Sequence, residues 1–478
     1  MFYILFSTIF IILLSTYLIL KYTVFKNSEK FNCVFNKIVK ISTIIYCSLT
    51  LVKIILPDSF TLSRSAEELG GGYFQSYAIL RWFECLPFIV LPIAVYSKNR
   101  TFKNIAIYVC TIISIVSIIF YSSHMQFFTS PDGRGLNSIS VLSKGFKAFL
   151  LNSTFRSIYF GIYTMLQLLI PILLAVQEKH IFNFKDKKEI GLFFLILPFL
   201  LASCMPIYVP QYLFGYSNIK FEAFGLMHIL WIIYTIAMLV VLYFIFRKKE
   251  LETKKILLFV LALSLIYQYC QMFGAISINV KRFPLQLCNI GAFLILIYLI
   301  TMNRKIFNFT VIINVVGVLF ALAMPDLEGE GLFYLYNMHF VFEHTNVLVI
   351  PILTLMFGLF PRLDKTALKH CLIGFVIYFV SVWAIGTMFN AIAVATGNSF
   401  YQANYMFMFL PEVAIDFLPF TKVLFDINFK VGYATFYPII QLIIFVVFVL
   451  VCIMMYFAIQ LIYIAIDKAK LKKSKNLL

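Results

Sequence analysis

Thirteen runs of mostly apolar residues divide this chain, and a run of about twenty is what an α-helix needs to cross the hydrocarbon of a bilayer. They lie near residues 2–20, 37–56, 82–97, 104–121, 157–177, 190–209, 225–246, 256–273, 284–302, 306–324, 338–360, 370–391 and 436–466. Lipid offers nothing to a bare N–H or C=O, so each run must satisfy its own backbone as a helix. The fold class is therefore all-α, a polytopic membrane helix bundle of about 13 transmembrane helices. Composition points the same way: 62% of the 478 residues are hydrophobic and 13% are charged. Soluble domains average about 45–50% and 25%. The first run has no basic leader and no small-residue cleavage site, and reads as a retained span.

The formal net charge is +18, and its placement separates the two sides of the bundle. Loops following odd-numbered runs hold 27 of the 39 Lys and Arg and 8 of the 21 Asp and Glu, while the other side holds 12 and 13. Basic loops stay in the cytoplasm. The expectation is a multi-pass protein of the cell membrane with its N-terminus outside and its C-terminus cytoplasmic. Basic clusters between apolar runs orient helices and do not form a nucleic-acid face, so the expected partners are membrane lipids and not nucleic acid. Nine cysteines are scattered without a CxxC or a paired framework. Most sit inside apolar runs, where a free thiol behaves as a small hydrophobe. No metal or cofactor is expected. Gly70–Gly72 lacks the Lys-Ser/Thr of a phosphate-binding loop.

Two stretches resemble each other. NRTFKN (Asn99–Asn104) is followed by IPIL at Ile170–Leu173, and NRKIFN (Asn303–Asn308) by IPIL at Ile350–Leu353. Each NR pair stands before the fourth run of its half, and each IPIL stands within the fifth. The order predicts two parallel six-helix repeats, 1–220 and 221–478, with one extra helix at the end. An even number of spans returns the chain to its starting side, which makes the copies parallel and not inverted.

Polar residues inside a membrane are costly and mark functional candidates. In the second half they gather near the ends of runs distant from the basic loops. His228 lies in FGLMHILW, Cys288 in RFPLQLCNI, Asp326 in ALAMPDL, and His339, Glu343, His344 and Asn346 in NMHFVFEHTNV. His339, Glu343 and Asn346 share one helical stripe, and Asn337 and His344 share another. At the IPIL-anchored alignment Thr164 replaces His344, Tyr159 replaces His339 and Tyr163 replaces Glu343, so one half can hold chemistry while the other is scaffold. Plainer readings stand beside each candidate. Cys288 fits core filler, His228 and His344 fit bonds to a neighbouring carbonyl, and His339 with Glu343 fits a structural pair. Asp326 fits a turn cap, and Arg282 fits an interfacial anchor, with a lipid-phosphate contact as its functional counterpart.

Taken in order, FGLMHILW, FPLQLCNI, ALAMPDL, FEHTNVLVIPIL and ANYMFMFLPEVAIDFL (Ala403–Leu418) resemble the YwaF-like integral membrane proteins of bacteria and the related eukaryotic transmembrane acyltransferases. The resemblance covers roughly residues 221–465. It implies a Cys/His enzyme that moves fatty acyl chains between lipids, with Cys288 as nucleophile and His344 as its partner. Asn289, Asn346 or Asn404 would hydrogen-bond the oxyanion. His228, Arg282, Asp326 and His339 are the remaining candidates for substrate contact. Gln286 stands where the family's Cys motif often carries His. The alternative, from another functional class, is a transporter or lipid translocase with a polar binding site in the second repeat.

Overall fold

The computed structural model describes residues 2–25, 28–55, 71–119, 144–177, 186–207, 209–210, 219–276, 280, 283–323, 325, 331–410 and 421–475. A helix stands at each of the thirteen predicted runs. These are α1 (Phe2–Thr23), α2 (Glu29–Ile55), α3 (Gly71–Tyr96), α4 (Arg100–Ile119), α5 (Ser153–Gln177), α6 (Lys187–Ser203) and α7 (Leu226–Phe246). They continue as α8 (Leu251–Ile276), α9 (Leu287–Thr301), α10 (Arg304–Ala323), α11 (Leu335–Met356), α12 (Lys365–Thr396) and α13 (Pro438–Lys475). Among the described residues nine helices are long and apolar enough to cross a membrane, and α1, α3 and α9 contain shorter apolar stretches. The chain is an all-α, multi-pass membrane protein. The strands described are a small hairpin, β1 (Phe429–Val431) with β2 (Ala434–Phe436), between α12 and α13.

Several helices overrun their predicted runs, α2 and α3 at their starts and α12 and α13 at their ends, the last two for identifiable reasons. α13 continues from the apolar run through its basic tail to Lys475, since Lys is a good helix former once the helix has left lipid. α12 continues until Gly397, whose φ of 65° supplies the left-handed residue that closes a helix.

One compact unit comprises residues 1–218, 259–277 and 333–339. Ser264 of α8 donates to the Ser203 carbonyl at 2.6 Å. Gln268 donates to the Met205 carbonyl at 3.0 Å and accepts from the Ile207 N–H at 3.1 Å. Deeper in this unit Lys53 of α2 forms an ion pair with Glu84 of α3, with side chains 1% and 3% exposed. The Lys53 ammonium lies over the rings of Phe160 (4.8 Å) and Tyr163 (4.7 Å). The Tyr163 hydroxyl is 3.4 Å from that of Tyr46. Nothing in the sequence pairs Lys53 with Glu84, since they lie on separate runs, and only packing reveals a buried charge pair in this half.

The second unit comprises residues 219–258, 278–332 and 340–478. α10 and α12 lie close because Gly374 has no side chain where Phe309 sits. Arg304 pairs with Asp364 at 2.9 Å, and Asn308 donates to His370 Nδ1 at 3.0 Å. α13 is fastened to the loop between α11 and α12 by a two-pronged Arg362–Asp467 pair and by Gln460 donating to the Leu363 carbonyl. α7 buries only a narrow stripe that includes His228, Trp231 and Thr235. The rest of its surface is apolar and exposed, as a helix facing lipid requires.

Local features recur at a constant offset of 204 residues. Ser97 accepts from the Asn99 N–H, and Thr301 from the Asn303 N–H, both at 3.3 Å. Asn99 and Asn303 cap α4 and α10. Arg100 pairs with Glu189 of α6 and Arg304 with Asp364 at the start of α12, both at 2.9 Å. A π-helical turn follows at Ala106–Cys110 and again at Thr310–Asn314. α4 ends at Ile119 and α10 at Ala323. In α5 and α11 the matching offset is 180: Thr164 bonds back to the Phe160 carbonyl, and His344 to the Phe340 carbonyl.

Candidate functional site

The entry to α9 is clamped on several sides. Tyr378 of α12 donates to the Leu285 carbonyl at 2.7 Å, and Tyr405 donates to the Val280 carbonyl at 2.6 Å. Gln286, the residue before the helix, donates to the Asn404 carbonyl and accepts from the Met406 N–H, both at 3.0 Å. The loop it grips is itself tied down, with Asn404 Oδ1 accepting from the N–H groups of Phe409 and Leu410. Met406 and Phe407 adopt φ of 52° and 58°, a conformation that costs non-glycine residues on the order of 1–3 kcal/mol. This bracing fixes the start of α9, where Cys288 is the second residue.

α9 and α11 run side by side in one register. Tyr298 and Thr354 share a hydrogen bond at 3.3 Å. A Cβ added to Gly291 would lie 3.3 Å from Val347 Cγ1. Both pairs are separated by 56 residues, so the helices are parallel and keep step over two turns. Cys288 and His344 are also separated by 56 residues, one turn before Gly291 and Val347 on the same two helices. The two side chains therefore stand at one level on neighbouring helices.

His344 has a defined orientation. Its Nδ1 lies 2.7 Å from the Phe340 carbonyl. A carbonyl only accepts, so the neutral ring carries its proton on Nδ1 and the lone pair on Nε2. Phe340 packs on the same ring at 4.1 Å between centroids. The next residue, Thr345, receives Trp231 Nε1 at 2.9 Å and meets Thr235 at 3.0 Å, which holds α7 against α11. The Cys288 thiol donates to Asn289 Oδ1 at 3.1 Å. Buried Glu343 and Tyr378 are within electrostatic reach of Cys288.

The other candidates divide. His228 Nδ1 accepts from the Phe224 N–H at 2.9 Å, which fixes the start of α7, and its Nε2 meets the Leu322 carbonyl at 2.7 Å, which braces α7 against the end of α10. Asn346 donates to the Phe342 carbonyl at 2.8 Å and Asn404 to the Leu410 carbonyl at 3.4 Å. His339 belongs to the first unit, with its ring 5.7 Å from that of Tyr269. Arg282 and Asp326 lie outside the described residues. Gln286, which the sequence marks only as a departure from the family's Cys motif, is a loop clamp. Asn314, fully buried at the end of the α10 π turn, is not among the residues the sequence singles out, although it is one of two amides inside an apolar run.

At the matching positions of the first half, Glu84 replaces Cys288, Pro87 replaces Gly291, Cys110 replaces Asn314 and Thr164 replaces His344. The caps, π turns and loop bonds persist while these four change together.

Residues 223–456 match the model of the TMEM164 family. The match spans nearly the stretch in which the five sequence motifs occur, and it marks this half as similar to a family of transmembrane proteins. No curated protein and no solved structure matches the chain.

Proposed function

We propose that the second half is a membrane-embedded lipid acyltransferase, with Cys288 as nucleophile and His344 as general base. The shared register of α9 and α11 carries the reading. Two independent contacts keep the 56-residue step that also separates Cys288 from His344. The Nδ1–H tautomer of His344 supports it further, because a base needs the opposite nitrogen's lone pair.

The Cys288 proton passes to His344 Nε2 as sulfur adds to the carbonyl carbon of a lipid ester, and the C=O π pair moves onto oxygen. Collapse of this adduct breaks the ester C–O bond. The departing alkoxide takes the proton from the His344 imidazolium, which leaves a Cys288 thioester and a lysolipid. A second lipid hydroxyl then attacks the thioester, His344 accepts its proton, and sulfur leaves to recover that proton as the thiol. No cofactor enters this cycle. With the basic loops in the cytoplasm, the site lies toward the outer face, level with the glycerol esters of membrane lipids.

We also propose that the halves arose by duplication, supported by loop bonds, caps and π turns repeating at one offset.

The test uses the full-length protein in mixed micelles with an isotope-labelled diacyl phospholipid and a lysophospholipid acceptor. Label is expected to move to the acceptor through a hydroxylamine-sensitive bond at Cys288. Cys288→Ser and His344→Ala should each lower transfer at least ~100-fold. Absence of transfer by the native protein, with Cys288-independent movement of lipid between leaflets once the same protein is reconstituted in vesicles, would replace the enzyme by the translocase.

A further inference from the structure

Asn314 is 0% exposed, and neither its Oδ1 nor its Nδ2 has a hydrogen-bond partner among the described residues. An amide left this way in an apolar interior is unfavourable to the fold, because its lost hydration is not replaced. The fold builds space for it. The π turn Thr310–Asn314 ends on this residue, and such turns concentrate at functional sites. Its amide nitrogen occupies the place where any side chain on Gly291 would be. Gly291 is one turn along α9 from Cys288 and abuts Val347, one turn along α11 from His344. The amide thus lies between the two helices that carry the reacting pair, just below it. The first half keeps the same π turn, yet puts Cys110 here and Pro87 opposite, in the half where Glu84 and Thr164 replace Cys288 and His344. The amide accompanies the thiol and imidazole, and not the turn.

We propose that Asn314 Nδ2–H is the donor that receives the oxyanion formed when Cys288 attacks an acyl carbonyl, a role that rests on the acyl-transfer reading above. The sequence offered Asn289, Asn346 and Asn404 for this task; Asn346 and Asn404 each spend one of their two Nδ2 hydrogens on the Phe342 and Leu410 carbonyls, whereas both of Asn314's are unengaged among the described residues. Asn289 offers its Oδ1 to the Cys288 thiol. As the C=O π pair moves to oxygen, the Asn314 amide gains a charged partner that the ground-state ester offers only weakly. That difference is what accelerates a reaction. The proton follows the path through His344 unchanged.

Two reagents separate this role from a structural one. A long-chain acyl thioester forms an oxyanion on its way to the Cys288 thioester. Iodoacetamide alkylates the same thiol by displacement at carbon and forms none. Both rates are measured at the Cys288 peptide by mass spectrometry in the full-length protein, with Asn314→Ala and Asn314→Val compared to native. Acylation is expected to fall ~100- to 1,000-fold in both variants, with alkylation within about twofold of native. Equal losses with both reagents, or acylation unchanged in a variant that alkylates normally, would overturn the assignment while leaving Cys288 the nucleophile. If native Cys288 alkylates but never acylates, the acyl-transfer reading fails and the oxyanion role goes with it. Two apolar replacements of different volume guard against a folding defect peculiar to one.

Discussion

Gly291→Ala should expose how tightly α9 is held against its neighbours. The added Cβ would sit 2.8 Å from Asn314 Cγ and 3.3 Å from Val347 Cγ1, and closer still to Asn314 Nδ2. Ordinary carbon contacts lie near 3.5–4.0 Å, so α9 must shift or the amide must turn into packed surroundings. Overpacking of this kind costs about 1–3 kcal/mol. The two shortest clashes involve only the Asn314 amide, and Asn314→Ala removes both while leaving the Val347 contact. Asn314→Ala alone should be near neutral, because it deletes an amide with no partner among the described residues along with its packing. The double variant should then recover most of the loss, with a coupling of at least ~1 kcal/mol, within the range for residues in direct contact. The measurement is SDS-induced unfolding of all four proteins in mixed micelles, followed by intrinsic fluorescence. Additive losses, or a neutral Gly291→Ala, would refute the contact and with it the placement of Asn314 one turn from the level of Cys288 and His344.

Further outcomes follow from contacts elsewhere. Gln286→Ala gives up two hydrogen bonds to residues 404–406, each worth about 1 kcal/mol, and hydrogen exchange across 399–410 should accelerate; unchanged protection would remove the clamp. Lys53→Met should cost about 3–5 kcal/mol by stranding Glu84, while Lys53→Met with Glu84→Leu should be close to native; equal effects in SDS unfolding would contradict a buried pair. Asn303→Ala removes the α10 cap bonds to the Lys305 and Ile306 N–H groups and should cost about 1 kcal/mol, whereas Arg362→Ala at an exposed pair should cost less. Burial acts to raise the Asp364 carboxyl, but the Ala367 N–H and Arg304 outweigh it and hold the group below its ordinary value of 3.8. Its stabilisation is therefore present above that value and lost as pH falls through the lowered one, and Arg304→Ala should flatten the acid limb of the unfolding curve.

The helices were legible because lipid leaves little choice: an apolar run of sufficient length must become a helix. Ends were less so, since the last turns of α12 and α13 leave the apolar run and depend on Gly397 and on a basic tail. Cys288 and His344 were found as polar side chains inside apolar runs together with their motifs. The shared level of the two is geometric, visible only through Tyr298, Thr354, Gly291 and Val347. Asn314 lies mid-run, away from the span ends where the other polar residues gather, and its place depends on a π turn with no sequence signature. The Lys53–Glu84 pair was hidden for a similar reason: two isolated charges on separate runs look like anchors until packing joins them.

Under the proposed duplication, the π turns also carry a history. A π turn is an α-helix with one residue too many, at the expense of a regular hydrogen bond. From Trp82 and Gln286 to the ends of α4 and α10, the halves stay in step without a single gap, straight through both turns. The extra residue must then have been inserted before the gene doubled. It was retained afterwards in two lineages, one closing the turn on a cysteine and the other on an amide. The turn is thus older than either chemistry, and the residue that closes it was free to become an amide in one descendant and a cysteine in the other.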